Sequence, residues 1–501
     1  MQVCSTPDVL QSPVAQRLRQ FIRQHRRAWQ DKKKGAPAFE QFEAELHEHM
    51  MALEREILEE QLESYDVAAP QIEVAGVCYH PVLRTHETYL SAAGPVRVAR
   101  HLYRPAGRNA PSLCPMELRA GIVDGYWTPR AARCGAFAVA HLTPGEAETL
   151  FTQMGGMQPS RSSLDRLPRT LSTHWEAQRE AQREEWESTL REYEQVPVAA
   201  AVVAFSVDGV MAPLKAEAQL RQCKRQEAGK HGSGPAGYRE VGCGTVSFYD
   251  AGGDRLHTLY YGRMPESKKV TLQGQLQAQA QTLCSVRPGL RRVHLTDGAE
   301  SNWQLLAAVE RAAESAAVGL SMGPMVEPSV APVVQIVDFY HACEHLKRGC
   351  DAIWGESTVR AQAEFQRLRT LLKEDEQGAV RIMSSLRYHA AQAQGNRQVR
   401  IRAELTYFRN QRARMQYATY QREKLPIASG VMEAACKTLV TQRLKRSGMA
   451  WSMAGGQAIL TLRSLIQSGR WPQAWPLLAG QFKQTVIERR PKESVALKLV
   501  A

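Results

Sequence analysis

Apolar positions along the chain change period several times, and each change predicts a change of element. Phe39, Phe42, Leu46, Leu53 and Ile57 recur at spacings of three, four and seven, which predicts an acidic helix with one apolar stripe. Such a stripe packs on something, and a second copy of itself would serve. Ahead of it, residues 13 to 34 read as a basic helix with Phe21 and Trp29 interleaved, suited equally to a phosphate-binding arm and to plain amphipathic packing. From Gln71 to Pro105 the period falls to two, and turn residues separate IEVAGVCYH, ETYLSA and VRVARHLYRP, so a small antiparallel sheet is expected. Helical text resumes at Thr128. There Thr143 and Pro144 open one helix, Gly155-Gly156 breaks it and Ser160 caps another beginning near Arg161, the punctuation of a helix-turn-helix. Residues 169 to 195 predict a charge-laced connector helix.

The stretch Val202 to Val210 organises the middle of the chain. Val202 to Phe205 and Val207 form a near-continuous apolar run, the signature of a central strand covered on both faces, with Asp208 at its end and Gly209 allowing close approach to the backbone. Strands are then expected at 239 to 249, 255 to 262, 293 to 297 and 333 to 338, with helices near 268 to 284 and 302 to 316. Three hairpin-connected strands, then strands alternating with helices, predict a mixed sheet covered by helices. From about 358 to 424 the text is helical and polar-rich, an all-helical insertion. A helix capped by Ser429 should then run to about Arg446, and another from Gly456 to about Ser468. The resulting division is a helical region (1–70), a small antiparallel β region (71–127), a helical segment with its connector (128–195), an α/β core (196–357) interrupted by the insertion (358–424) and resumed by the Glu433 helix (425–470), and a basic tail (471–501).

Three segments finish on aspartate: Ser206-Val207-Asp208-Gly209, Leu295-Thr296-Asp297-Gly298 and Ile336-Val337-Asp338-Phe339. Ligands of open α/β sheets collect at strand carboxyl ends, so these side chains converge if the strands are neighbours. Convergent carboxylates repel, and a divalent cation relieves them. Mg²⁺ takes oxygen ligands, and a pair of ions stabilises both oxygens of an in-line phosphodiester displacement. Glu433 lies in the first turn of its helix, where negative charge is favoured; Lys437 is on the same face at i+4, with Arg443, Lys445 and Arg446 further along. The same residues also read as a solvated Glu-Lys pair. In Asp338-Phe339-Tyr340-His341-Ala342-Cys343-Glu344-His345, His341 and His345 share a helical face while Cys343 points elsewhere, so His341 orienting substrate or carboxylates is preferred to a zinc site. Gly232, Gly234 and Gly237 match the spacing of a dinucleotide loop but precede a strand rather than a helix, so the match carries no function.

Charge adds a partner. The net charge is +13 with pI near 9.3, and residues 401 to 501 hold 17 Lys and Arg against 5 Asp and Glu, which points to a polyanion such as nucleic acid. The ten cysteines contain no C-x-x-C pair, so neither a zinc ribbon nor a disulfide framework is legible and reduced thiols are expected. Arginines occupy the N-terminal stretch where a signal peptide needs an apolar core, and the longest apolar run is too short to span a bilayer; a cytoplasmic protein with no membrane partner is expected.

Taken together, SVDGV, REVGCGTVSFYDAGGDRLHTLYYGRMPESKKVTL, LTDGAESNW, VDFYHACEHL and PIASGVMEAACKTLVTQRLKRSGMAWS resemble the DDE transposases of bacterial insertion sequences, in particular the Kra-type family, over roughly residues 195 to 470. The resemblance implies a ribonuclease H-like catalytic domain with a helical insert before the final Glu. It implies a catalytic and metal-binding triad of Asp208, Asp297 and Glu433, with Asp338 and His341 as an accessory D-x-x-H motif. It further implies cleavage and strand transfer dependent on two Mg²⁺ ions, with Mn²⁺ able to substitute. The partners implied are terminal inverted repeats and target DNA, with a homo-oligomer synapsing the ends and a nucleoid-associated location. An inactive transposase-derived DNA-binding protein and a two-metal nuclease without strand transfer stand as alternatives. The stretch 319 to 332 is a longer loop than the fold needs.

Overall fold

A computed structural model describes residues 13–30, 39–105, 110–177, 196–215, 237–319 and 332–489. Outside them lie most of the connector, the glycines at 232 and 234, nearly all of the 319 to 332 stretch and the last twelve residues of the tail, as do the side chain of Trp29 and Cys4 and Cys223. The chain forms two compact units, residues 1–177 with 472–501, and residues 178–471.

In the first unit, α1 (Pro13–Gln30) and α2 (Phe39–Glu63) precede an antiparallel sheet of β1 (Gln71–Val74), β2 (Val77–Ser91) and β3 (Gly94–Pro105). Of the expected stripe on α2, Phe42 stacks on Phe21 of α1 at 5.6 Å, whereas Phe39 and Ile57 are exposed; β3 is met instead through Leu58 and Leu62, which the stripe did not include. The acidity of α2 has a structural use. Glu59 and Glu63 accept the backbone N–H groups of Arg97 and Ala99 at 2.9 and 3.1 Å, and Asp66 accepts that of His101 at 3.0 Å. These carboxylates satisfy the donors of an edge strand that would otherwise invite pairing. Then come α3 (Pro115–Ala120), α4 (Pro129–His141), α5 (Pro144–Met154) and α6 (Arg161–Ala177). Thr143 and Glu146 complete a capping box on α5, and Gly155 follows it with φ +75°. Ser160 Oγ accepts the Ser163 N–H at 3.2 Å as the expected cap of α6.

The second unit is built on a mixed five-stranded sheet. Its strands are β4 (Val202–Pro213), β5 (Tyr238–Tyr249), β6 (Arg255–Arg263), β7 (Arg291–Thr296) and β8 (Val334–Val337), in the order β6-β5-β4-β7-β8. β4 is central: antiparallel to β5 and parallel to β7, which is parallel to β8. Val202 to Val207 are all buried, as a strand covered on both faces requires. α7 (Val270–Val286) and α8 (Glu300–Gly319) connect the strands, and α9 (Phe339–Trp354) follows β8. The predicted insertion is α10 (Val359–Glu374), α11 (Gly378–Gln392), α12 (Gly395–Gln411) and α13 (Tyr417–Arg422). It does not hold a core of its own: Leu368, Leu372, Ile382, Leu386, Ile401 and Phe408 join the cluster that contains Phe205 and Leu295.

After the insertion come α14 (Gly430–Ala435), a π segment (Cys436–Thr441), α15 (Gln442–Leu444) and α16 (Met453–Gln467). The tail, expected to end without pattern, instead forms α17 (Trp471–Gly480) and β9 (Val486–Arg489), and β9 pairs antiparallel with β1. Four residues, two apolar and then two charged, were too few to read as a strand without the partner they complete. None of the described cysteines forms a disulfide, and among the described residues no helix is long and apolar enough to cross a membrane.

One core residue sets a pH dependence. His294 on β7 is 1% exposed, neither ring nitrogen has a hydrogen-bond partner among the described residues, and Nε2 stands 3.6 Å from Glu310 Oε2. Burial, aided by Arg292, lowers its pKa to about 3. The folded chain keeps the imidazole neutral while the unfolded chain protonates it near pH 6.5, so this contribution is complete above pH 6.5 and falls away as pH drops toward 3. Thermal melts should lose about 2 kcal/mol between pH 7 and pH 5 from this group alone. His294→Leu should flatten that slope, and an unchanged slope would refute the assignment.

Candidate active site

Strand register creates the site. β4 leaves β7 after Phe205 but stays paired to β5 as far as Pro213. The expectation that the strand ends at Asp208 is therefore corrected: Asp208 lies mid-strand, opposite Cys243, on the stretch whose β7 side has opened. Gly209 N–H donates to Asp208 Oδ1 at 2.7 Å, and Cys436 Sγ lies 3.8 Å from Oδ2. The carboxyl is raised above the usual range first by burial. The Gly209 N–H opposes that rise, Asp297 adds to it and Lys269 opposes it. The repulsion from Asp297 is the electrostatic mark of two carboxylates brought together on neighbouring parallel strands.

Asp297 follows β7 directly. Its Oδ1 accepts Thr296 Oγ1 at 3.0 Å, the Ala299 N–H at 2.9 Å and Asn302 Nδ2 at 3.1 Å, while Oδ2 has no hydrogen-bond partner among the described residues. This is an Asx turn fused to the start of α8. Gly298 has φ +98°, a conformation glycine adopts without strain, and the insertion holds the turn from outside. Gln411 Nε2 donates to Gly298 O at 3.0 Å and Tyr407 Oη to Asp297 O at 3.5 Å.

Asp338 follows β8 and caps α9, and it is 4% exposed. Its Oδ1 accepts the His341 N–H at 2.6 Å and its Oδ2 accepts the Ser429 N–H. Both oxygens are thus engaged by backbone donors, which makes Asp338 a clamp between α9 and the approach to α14. This also corrects the role of Ser429: its backbone N–H binds Asp338, while its side chain makes no cap bond. The His341 ring lies 5.1 Å from His345 and Nδ1 is 3.6 Å from Glu344 Oε2. His345 bonds Glu404 Oε2 at 2.6 Å and lies flat on Tyr407 at 3.4 Å. Cys343 is buried in the core, its thiol pushed up to about 11 by burial.

Glu433 is exposed in the first turn of α14, and its carboxylate has no partner among the described residues. The helix packs on β4 and β5, with Met432 Sδ 3.7 Å from Thr245 Oγ1. Cys436, three residues on, is the residue that touches Asp208, so Glu433 stands one helical turn from that contact. Lys437 is exposed and forms no ion pair with Glu433. Lys445 and Arg446 are exposed as well. Arg443 departs from the expected DNA-facing role: it is 2% exposed, with its guanidinium 5.0 Å over the Trp451 ring. Arg443 lies four residues beyond Leu439 and seven beyond Cys436, so helical spacing puts it on the same buried face. Among the described residues, no three His, Cys, Asp or Glu side chains are gathered closely enough to hold a metal ion as they stand.

Sequence reading missed Lys269, Asn302, Tyr407, Gln411 and Cys436. Asn302 was detectable, since an Asp followed by Gly and a helix start invites an amide in the first turn. The contacts of Tyr407 and Gln411 span more than a hundred residues and leave no local pattern.

Compared with known proteins, the chain matches no family model and no curated protein.

Gln411→Leu removes the amide that secures Gly298. Hydrogen exchange of residues 298 to 302 should accelerate roughly three- to tenfold, the worth of one net hydrogen bond, while exchange in β5 stays unchanged. Equal protection in both proteins would show that the insertion does not hold the turn.

Proposed function

We propose that residues 178–471 form the ribonuclease H-like catalytic domain of a DDE-type transposase. In this reading the chain cleaves the terminal inverted repeats of an insertion sequence and joins them to target DNA. The observation that carries the proposal is the electrostatic meeting of Asp208 and Asp297 on adjacent parallel strands, with Glu433 one turn from the cysteine that touches Asp208.

These residues fit Mg²⁺ or Mn²⁺ in donor chemistry. They offer hard oxygen atoms, an Asp297 oxygen and a Glu433 carboxylate with no partner among the described residues, and an Asp208 whose charge is opposed by burial. Asp208, Asp297 and Glu433 would hold the ions, which when bound supply charge stabilisation at the phosphodiester and activate water or a 3′ hydroxyl. The chain itself does the positioning. Thr296, Ala299 and Asn302 fix one Asp297 oxygen and leave the other without a hydrogen-bond partner among the described residues. Asp338 ties α9 to the approach of the Glu433 helix, and His341, whose N–H it holds, stands beside that junction. Lys437, Lys445 and Arg446 extend from the Glu433 helix as contacts for a phosphate backbone.

A second reading, a DNA-binding derivative without catalysis, would keep the cationic surface and need no meeting of Glu433 with the aspartates. Strand transfer in vitro separates the two. With Mg²⁺ and terminal inverted repeats, Asp208→Asn should lower transfer by roughly a thousandfold and leave end binding intact. Undiminished transfer by Asp208→Asn rejects the assignment, and absence of transfer by the wild-type chain supports the non-catalytic reading. For the cationic surface, neutralising Lys437, Lys445 and Arg446 should flatten the salt dependence of duplex binding by about one unit of slope per lost contact, whereas Arg443→Met should leave the slope alone. A slope that responds to Arg443 and ignores the other three would reverse this map.

A further inference from the structure

A second charged arrangement occupies the same rim on the other face of β4. Asp208 and Cys243 face the helix that carries Glu433, whereas Gly209 and Gly242, paired next to them, face α7. Immediately before α7, Lys268 and Lys269 both adopt left-handed backbone, with φ +54° and +52°. Neither residue is a glycine or an asparagine, and two successive side-chain-bearing residues in this region are held there only by their surroundings.

The Lys269 ammonium is what this conformation delivers. Nζ lies 2.8 Å from Glu240 Oε1 and 3.4 Å from Asn302 Oδ1, and the amide nitrogen of Asn302 holds Asp297. The cation is therefore one residue removed from Asp297 and is felt by Asp208. Its partner is held far less firmly: the Lys269 side chain is 19% exposed and that of Glu240 53%. Glu240 reaches Lys269 by folding over Gly209, where a Cβ would fall 1.9 Å from Glu240 Oε1. Gly209, the residue after Asp208, thus leaves room for an anionic oxygen beside the site, and a carboxylate of the same chain fills it.

An exposed carboxylate on a fixed ammonium is a weak pair that another anion can replace. A phosphodiester oxygen carries the same charge and accepts the same donors. We propose that Lys269 is a phosphate-binding residue for a nucleic-acid backbone entering this rim, and that Glu240 is an internal stand-in which occupies its ammonium until that backbone arrives. The proposal rests on the transposase reading only in taking nucleic acid as the ligand.

The test is a double-mutant cycle on the full chain, binding a fluorescein-labelled duplex carrying a terminal inverted repeat, in EDTA so that metal plays no part. Glu240→Gln should tighten binding about threefold, Lys269→Ala should weaken it about tenfold and Lys269→Arg should restore it. The double variant should bind like Lys269→Ala, because a stand-in has nothing to release once the cation is gone. Tightening by Glu240→Gln of equal size in both backgrounds is a general charge effect and overturns the proposal, as does a Glu240→Gln chain that binds no better than wild type. The transposase reading fails separately, on undiminished strand transfer by Asp208→Asn.

Discussion

Repulsion between Asp208 and Asp297 is the constraint to which the surrounding structure answers. The two carboxylates stand at a partly buried rim, where Asp208 is raised first by burial and further by the charge of Asp297. Every element that reaches the rim brings a compensating group. The Gly209 N–H comes from β4 itself, the Ala299 N–H and Asn302 amide from the start of α8, and the Lys269 ammonium from the turn before α7. The compensation is unequal. Asp297 has one oxygen fully hydrogen-bonded, whereas Asp208 receives one backbone N–H and a thiol, and remains raised.

Asp338 illustrates the opposite solution. It follows a strand as Asp297 does, yet it is buried with both oxygens on backbone N–H groups, which makes it a structural link. Its second partner, Ser429, lies beyond the entire insertion, and the Phe339 N–H bonds Ile427 O at 2.9 Å. The chain leaves the core at α9 and returns beside the same residue. The two stitches close the insertion at its base, and Tyr407 and Gln411 bind its far helix to the Asp297 turn. Helical text with no core of its own thereby becomes part of the site's scaffold.

How much of this was legible depends on the range of the forces involved. The central strand, the hairpin to β6, the alternation after it and the helical character of residues 358 to 424 are written in local periodicity, and the sheet holds them in the expected order. The limit of β4 was not legible, because a strand stops where its neighbours stop, and β5 accompanies it past Asp208 while β7 does not. The same holds for β9, which exists as a strand through pairing with β1. Arg443 shows a further limit. A basic residue among basic residues reads as surface, but Arg443 recurs at helical spacing with Met432, Cys436 and Leu439 and is buried on Trp451, so charge outweighed a periodicity that was in the text. Lys269 was hidden for another reason, since nothing in Ser267-Lys268-Lys269 announces left-handed backbone.

The docking of the Glu433 helix bears on how the carboxylates could meet. Cys436 is fixed at both ends of its contact. Cys243, its partner across the rim, has its thiol pushed up, first by their hydrogen bond and then by burial, and Asp208 lies on the other side. Three residues of helix rise about 4.5 Å, which sets Glu433 about one turn before the residue that touches Asp208. The helix itself is held by Met432, Leu439 and Val440 in the core cluster that includes Ala212 and Cys243. The helix is thus fixed by packing, and Glu433 is an exposed side chain upon it. Among the described residues no group at the rim pairs with Glu433, so its carboxylate is left to solvent.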